Sequence, residues 1–339
     1  MSDNDLLYFD STTEIYWHGV IMAAAILLGY AMFYLLARII NRKSLNQCYF
    51  VTLFSFPLAL ILSRAQYCFF RQGEFKSFAD IVRLTDGGFG LYGAMAGFAA
   101  AVFIVSLFEK ELTVPEAFDA AGVSGALAIC IGRLACLFSH EEKGFALSDD
   151  SFAKFMFTSF SKSDNSRVVD VFKYESLAAG IIFLVLAVTF ILTYGKKKYV
   201  KGTAAIQFLL LYSLTQTLFE SWRSDSLFLN TLGFVRFSQA FSAVIFAVIL
   251  VILCIRYAKF YGFNAKQIII WAALAGLIAL AFVCEFTMTG NTRLRNYSGM
   301  GAGLFGTLII GSWLLGKAQL TDAGKKKKPE SAVSGSPKK

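Results

Sequence analysis

Histidine is almost missing from this chain. His18 and His140 are the only two in 339 residues, and the six cysteines, at 48, 68, 130, 136, 254 and 284, never form a CxxC pair. These absences argue against a histidine-rich metal centre, a zinc site and a disulfide framework, so no metal and no cofactor is expected. Five of the cysteines read as packing residues, with Cys136 set apart for consideration below. Charge is also sparse, at 16% of the residues. The net charge of +9 gathers in short connections and in a lysine-rich tail, so it reflects membrane topology rather than nucleic-acid binding. The segment Met1–Asp10 has no basic side chain, and no small-residue cleavage site follows the first apolar run, so that run reads as a retained span.

What the chain has instead is apolar length. Hydrophobic residues make up 56% of it, and runs near twenty residues recur throughout, far more than one soluble core needs. The expected fold is therefore all-α: a polytopic helical membrane protein. Spans are expected near 17–39, 47–69, 88–108, 118–138, 175–194, 203–220, 236–255, 267–287 and 300–316. One set of connections holds Arg38, Arg42 and Lys43, then Lys196, Lys197, Lys198 and Lys201, then Arg256, Lys259 and Lys266. Basic residues stay cytoplasmic, which puts the N-terminal segment 1–15 outside and the tail 317–339 inside. That tail, rich in Lys, Ser, Gly and Pro, reads as disordered and drawn to the lipid bilayer.

With this orientation the unusual polar residues all fall at the external end. His18 opens the first span; Arg64, Tyr67 and Arg71 close the second; Tyr92 opens the third; Arg133, Cys136 and His140 close the fourth. Glu175 opens the fifth, Glu220 and Arg223 close the sixth, and Arg236, Gln239 and Ser242 open the seventh. Ionisable groups at such depth are costly and usually functional. Helical spacing of three or four residues puts Arg64, Tyr67 and Arg71 on one stripe, and likewise Arg133, Cys136 and His140, and Tyr212, Gln216, Glu220 and Arg223. Any one of these residues could be an interfacial anchor, but several stripes that include carboxylates are harder to explain that way. Arg64, Arg71, Arg133, Arg223 and Arg236 outnumber Glu141, Glu175 and Glu220, so a shared site would keep a cationic surplus suited to a lipid phosphate. The inner halves of the spans are nearly free of polar groups, which disfavours a transport path. In GGFGLYGAMAG, Gly87 to Gly97, small residues allow close helix approach and open dihedrals at Gly87 and Gly88, a pattern also common in plain packing.

The stretch GRLACLFSHEEKG, Gly132 to Gly144, resembles the signature of the bacterial prolipoprotein diacylglyceryl transferases, with Arg133, Glu141 and Gly144 at matching positions. YWHG near the first span, SRAQY at Ser63–Tyr67, the glycine run, Asp119, KYE at Lys173–Glu175, ESWR at Glu220–Arg223 and SQAFS at Ser238–Ser242 are similar in order and spacing. The resemblance implies a seven-span core over 16–255 with an external head at 139–172 and a site open to the outer leaflet of the bacterial inner membrane. Two further spans, 256–316, are additions to it. It implies transfer of a diacylglyceryl group from phosphatidylglycerol to the lipobox cysteine of prolipoproteins. In this reading Arg133 and Arg223 hold phosphate, Glu141 and Glu220 orient them, and His18 is the base. Arg64, Tyr67, Gly87, Gly88, Cys136, His140, Gly144, Glu175, Gln216 and Gln239 line the substrate.

At four positions the chain departs from the family pattern. Tyr92 stands where a histidine is typical, His18 where a tyrosine is, Cys136 for an asparagine and Gln216 for an arginine. If His18 and Tyr92 face one cavity, the imidazole has moved across it and a base that titrates near neutrality is kept. The alternatives are a paralogue acting on another anionic lipid or acceptor, or a non-enzymatic lipid- or lipoprotein-binding protein. Cys136 is either a small packing residue or a thiolate nucleophile.

Overall fold

Hydrocarbon offers no water to peptide groups, so long apolar runs must satisfy their own hydrogen bonds by forming helix. The computed structural model describes residues 6–10, 13–71, 73, 75, 77–83, 87–139, 143–147, 157–161, 166–224, 226–229, 232–287 and 293–319. Among them the long helices are α1 (Trp17–Ile40), α2 (Leu45–Phe70), α4 (Leu91–Phe108), α5 (Val114–Arg133) and α6 (Val171–Phe190), followed by α7 (Thr203–Glu220), α8 (Phe237–Tyr261), α9 (Ala265–Phe286) and α10 (Arg293–Ala318). A single short helix, α3 (Phe78–Val82), sits in the α2–α4 connection.

Eight of the long helices are apolar and long enough to cross a membrane, and large apolar side chains such as Leu27, Phe56, Phe103, Leu184 and Ile309 are exposed on them. Outward apolar surface of this kind suits lipid. The protein is an all-α polytopic membrane protein. Helix α7 is less apolar because it carries Gln207, Gln216 and Glu220, and its place explains why. It packs against α5, α6, α8 and α10, so protein surrounds it.

Helices α5, α6 and α10 begin earlier than the spans expected for them. For α5 the reason is a capping box, in which the Thr113 side chain and Glu116 each meet the other's backbone N–H, with Pro115 in the first turn. For α10 two polar turns, RLRNYSG, precede the apolar stretch.

Two apolar cores share α7. Phe33, Val102, Val123, Leu186, Phe208 and Tyr212 belong to one, and Leu210, Leu214, Leu250, Leu253, Met300 and Leu314 to the other. Glycines set the closest approaches. A Cβ on Gly97 would lie 2.5 Å from the Ala59 backbone, and one on Gly29 would lie 2.9 Å from Ala128 Cβ. At the end of the bundle remote from Arg133, buried Asp119 on α5 caps α7. Its carboxylate accepts from Gly202 N and the Tyr194 hydroxyl at 2.7 Å each, and from Ala205 N at 2.8 Å.

Strands occur in the connections. A hairpin of β1 (Leu6–Asp10) and β2 (Thr13–Tyr16) leads into α1. Between α5 and α6, in the stretch read as the head, β3 (Lys143–Leu147), β4 (Thr158–Ser161) and β5 (Ser166–Asp170) form an antiparallel sheet with β5 in the middle. Between α7 and α8 lies the pair β6 (Phe228–Leu229) and β7 (Leu232–Arg236). Strand β3 reaches the α7–α8 connection through a bridge between Gly144 and Arg223. Gly144 is required there, since a Cβ would meet Trp222 O and Val171 Cγ2 at 2.8 Å.

Candidate functional site

Arg133 occupies the last turn of α5, almost buried, and its Nε pairs with Glu175 Oε2 at 3.0 Å. Glu175, on α6, is itself buried, and its other oxygen accepts from Gln216 Nε2 on α7 at 3.4 Å. An arginine in a low-dielectric setting persists because a carboxylate matches its charge and a further donor occupies that carboxylate. Three helices thus meet at one ionic network. The buried Tyr212 hydroxyl, one turn before Gln216, feels the Arg133 charge, and one turn after Gln216 lies Glu220. Buried Glu220 faces Arg223 Nη1 at 3.8 Å. Where α7 ends, the head docks: Lys143 O accepts from Ser224 N at 3.0 Å and from Ser224 Oγ at 2.8 Å.

Tyr92, buried in the first turn of α4, hydrogen-bonds Ser242 on α8. Ser242 gives its only proton to Ser238 O at 2.6 Å, so the phenol is the donor. The charges of Glu220, Arg133 and Glu175 all reach this hydroxyl. His18 lies elsewhere on the rim. Its Nδ1 stands 3.2 Å from Ala135 O in the single-turn helix Leu134–Phe138 that follows Arg133. A carbonyl can only accept, so Nδ1 is the donor, and in the neutral tautomer with that proton Nε2 is the acceptor. Buried Cys136 lies in the same turn, within electrostatic reach of Arg133. Among the described residues no hydrogen bond joins His18 to Tyr92.

Several sequence candidates cluster differently. Arg64 is buried and enclosed by main-chain carbonyls: Nε bonds Ile81 O at 3.0 Å, Nη2 bonds Asp80 O at 2.9 Å and Arg83 O at 3.0 Å, and Nη1 bonds Gly88 O at 3.2 Å and also Gly87 O. All of its donor groups hold the α2–α4 connection. Gly87 and Gly88 adopt φ of +70° and +78°, which aims their carbonyls at the guanidinium. Tyr67 packs directly on Gly88, 2.6 Å from where a Cβ would stand. Gln66 accepts from Gly93 N, so the SRAQY segment anchors this connection as a unit. His140 and Glu141 lie outside the described residues.

The sequence reading passed over Glu285. From the last turn of α9 its Oε1 lies 3.3 Å from Arg236 Nη1, and the Gln239 amide reaches the same carboxylate while also bonding Thr217 O at 3.3 Å. Its position at the end of an apolar span was the available signal. The cationic surplus therefore shrinks. With Arg64 enclosed, Arg133, Arg223 and Arg236 face Glu175, Glu220 and Glu285, and Arg71, at the end of α2, is the remaining arginine of the set.

Comparison with known proteins gives the family. The prolipoprotein diacylglyceryl transferase family profile matches residues 6–255. The chain is similar to the phosphatidylglycerol–prolipoprotein diacylglyceryl transferase of Ligilactobacillus salivarius, 29% identical over 69% of this chain and 86% of that protein. It is 28% identical to the enzyme so named from Finegoldia magna, over 73% of this chain and 92% of the relative. Enzyme 1 of that name from Clostridium perfringens is 27% identical over 76% and 97%. The matched region ends within α8, so α9 and α10 lie beyond it. The chain belongs to the prolipoprotein diacylglyceryl transferase family.

Proposed function

We propose that this transferase moves a diacylglyceryl group from phosphatidylglycerol to the thiol of a lipobox cysteine in prolipoproteins, at the outer leaflet of the bacterial inner membrane. The observation that carries the reading is the Arg133–Glu175–Gln216 network beside Glu220 and Arg223, a polar cluster at one end of an otherwise apolar bundle. The reaction is displacement at carbon. The acceptor sulfur attacks the glyceryl carbon that bears the phosphate ester, the C–S bond forms, the C–O bond breaks, and glycerol phosphate leaves with the electron pair. The thiol must first lose its proton, and the leaving phosphate must be met by cations.

Arg133 suits the second task, because its guanidinium is a permanent positive charge that Glu175 holds in place at the polar end of the bundle. Arg223 and Arg236 complete a cationic face around the phosphate, with Glu220 orienting Arg223. His18 Nε2 takes the thiol proton. Tyr92, already donating to Ser242, acts as a fixed dipole rather than as a base. Arg64, Tyr67, Gly87 and Gly88 shape the wall of the site through the α2–α4 connection. The N-terminus lies outside and the basic tail inside, which puts the cluster on the external side. Purified protein with phosphatidylglycerol and a lipobox peptide tests the reading. Thioether-linked diacylglyceryl peptide and glycerol phosphate are expected in equal amounts, and absence of both beside a working homologue refutes it.

A further inference from the structure

We infer that Glu285 is a built-in counter-ion of Arg236 that competes with the anionic headgroup and sets how tightly the site takes it. The inference rests on the reading of Arg236 as part of the phosphate-facing end. Glu285 comes from α9, beyond the region that matches the family. The hairpin of α9 and α10 presents it from a fixed position. Tyr297 donates to Ser221 O at 2.9 Å, stacks on Phe145 at 5.8 Å and meets Trp222 edge-on at 5.9 Å, so the start of α10 is bolted to the turn that bears Glu220 and Arg223. Asn296 then ties α10 to the end of α9 through Thr287 Oγ1 at 3.1 Å.

The pair itself is made to exchange. It is a single long contact of 3.3 Å rather than a forked one, and both side chains keep some exposure. Among the described residues Arg236 Nε and Glu285 Oε2 are buried and do not bond each other, so the pair is not the closed two-bond fork that would resist exchange. The guanidinium also rests over the Phe228 ring, 5.8 Å from its centroid, which holds it in place when the carboxylate lets go. A phosphate offering two oxygens to the fork outcompetes one carboxylate oxygen, and Glu285 raises the concentration at which it does so. Without Glu285 the three arginines would face two carboxylates.

The test uses full-length protein in nanodiscs, with Glu285→Gln keeping shape and hydrogen bonding while removing charge. The KM for phosphatidylglycerol should fall roughly fivefold, with kcat not raised, as for loss of a competing ion pair of modest strength. In an Arg236→Gln background the same change should have no effect. Glu285→Asp, which withdraws the charge by one carbon, should shift KM the same way by less and serves if the Gln variant does not fold. An unchanged or raised KM in the folded variants, or an equal effect without Arg236, overturns the inference. Binding of phosphatidylglycerol against phosphatidylcholine vesicles is measured alongside. A shift in binding without any transfer refutes the transferase reading and leaves this inference standing, whereas transfer without the shift does the reverse.

Discussion

Arginines at similar depth in one bundle have different work, and their neighbours decide which. Arg133 pairs with a buried carboxylate, whereas Arg64 has every donor group on a main-chain carbonyl. Sequence spacing gave both the same stripe logic, because it reports which face a residue shares and not what stands opposite. The two therefore differ in prediction. Arg133→Gln removes a charge-assisted grip worth on the order of 1.5–3 kcal/mol, so turnover should drop at least tenfold while the protein folds. Normal turnover in that variant would reduce Arg133 to an interfacial anchor. His18→Phe should abolish transfer with the protein present in membranes at its usual level. Retained activity would remove His18 from proton transfer. His18 and Tyr92 bond partners on different elements, Ala135 O and Ser242.

Elements in this protein are held by polar devices that hydropathy does not register. Helix ranges followed closely from apolar runs, except where the capping box at Thr113 and the polar turns of α10 extend them. The sheet of the head was not legible, since its short strands lack the alternation that a buried face would impose, and β3 joins the local β4–β5 hairpin from further back in the chain. The α2–α4 connection shows the same limit. Its path depends on one buried guanidinium and two glycines of positive φ. Arg64→Gln should therefore lower the apparent melting temperature by roughly 5 °C or more, with amide exchange accelerated across residues 80–90 before any other segment. A variant with wild-type exchange there would show that the carbonyl cage is not what orders the connection.

The whole molecule joins a family core to an added hairpin through α7, a long helix outside the eight that are apolar enough to cross a membrane and one packed against α5, α6, α8 and α10. Sequence motifs covered the core and stopped within α8. That the hairpin would reach back to the site through Glu285 and Tyr297 depended on tertiary packing between α10, α7 and α8, which no local pattern encodes. The central claim is that the polar end of this bundle performs lipid transfer on a phosphate-linked donor. The most direct measurement incubates the purified protein with a lipobox peptide and either phosphatidylglycerol or diacylglycerol, and follows peptide mass and released glycerol phosphate. The account predicts a diacylglyceryl thioether with stoichiometric glycerol phosphate from the phospholipid alone. Equal modification from diacylglycerol, or none from either while a working homologue reacts alongside, would contradict it.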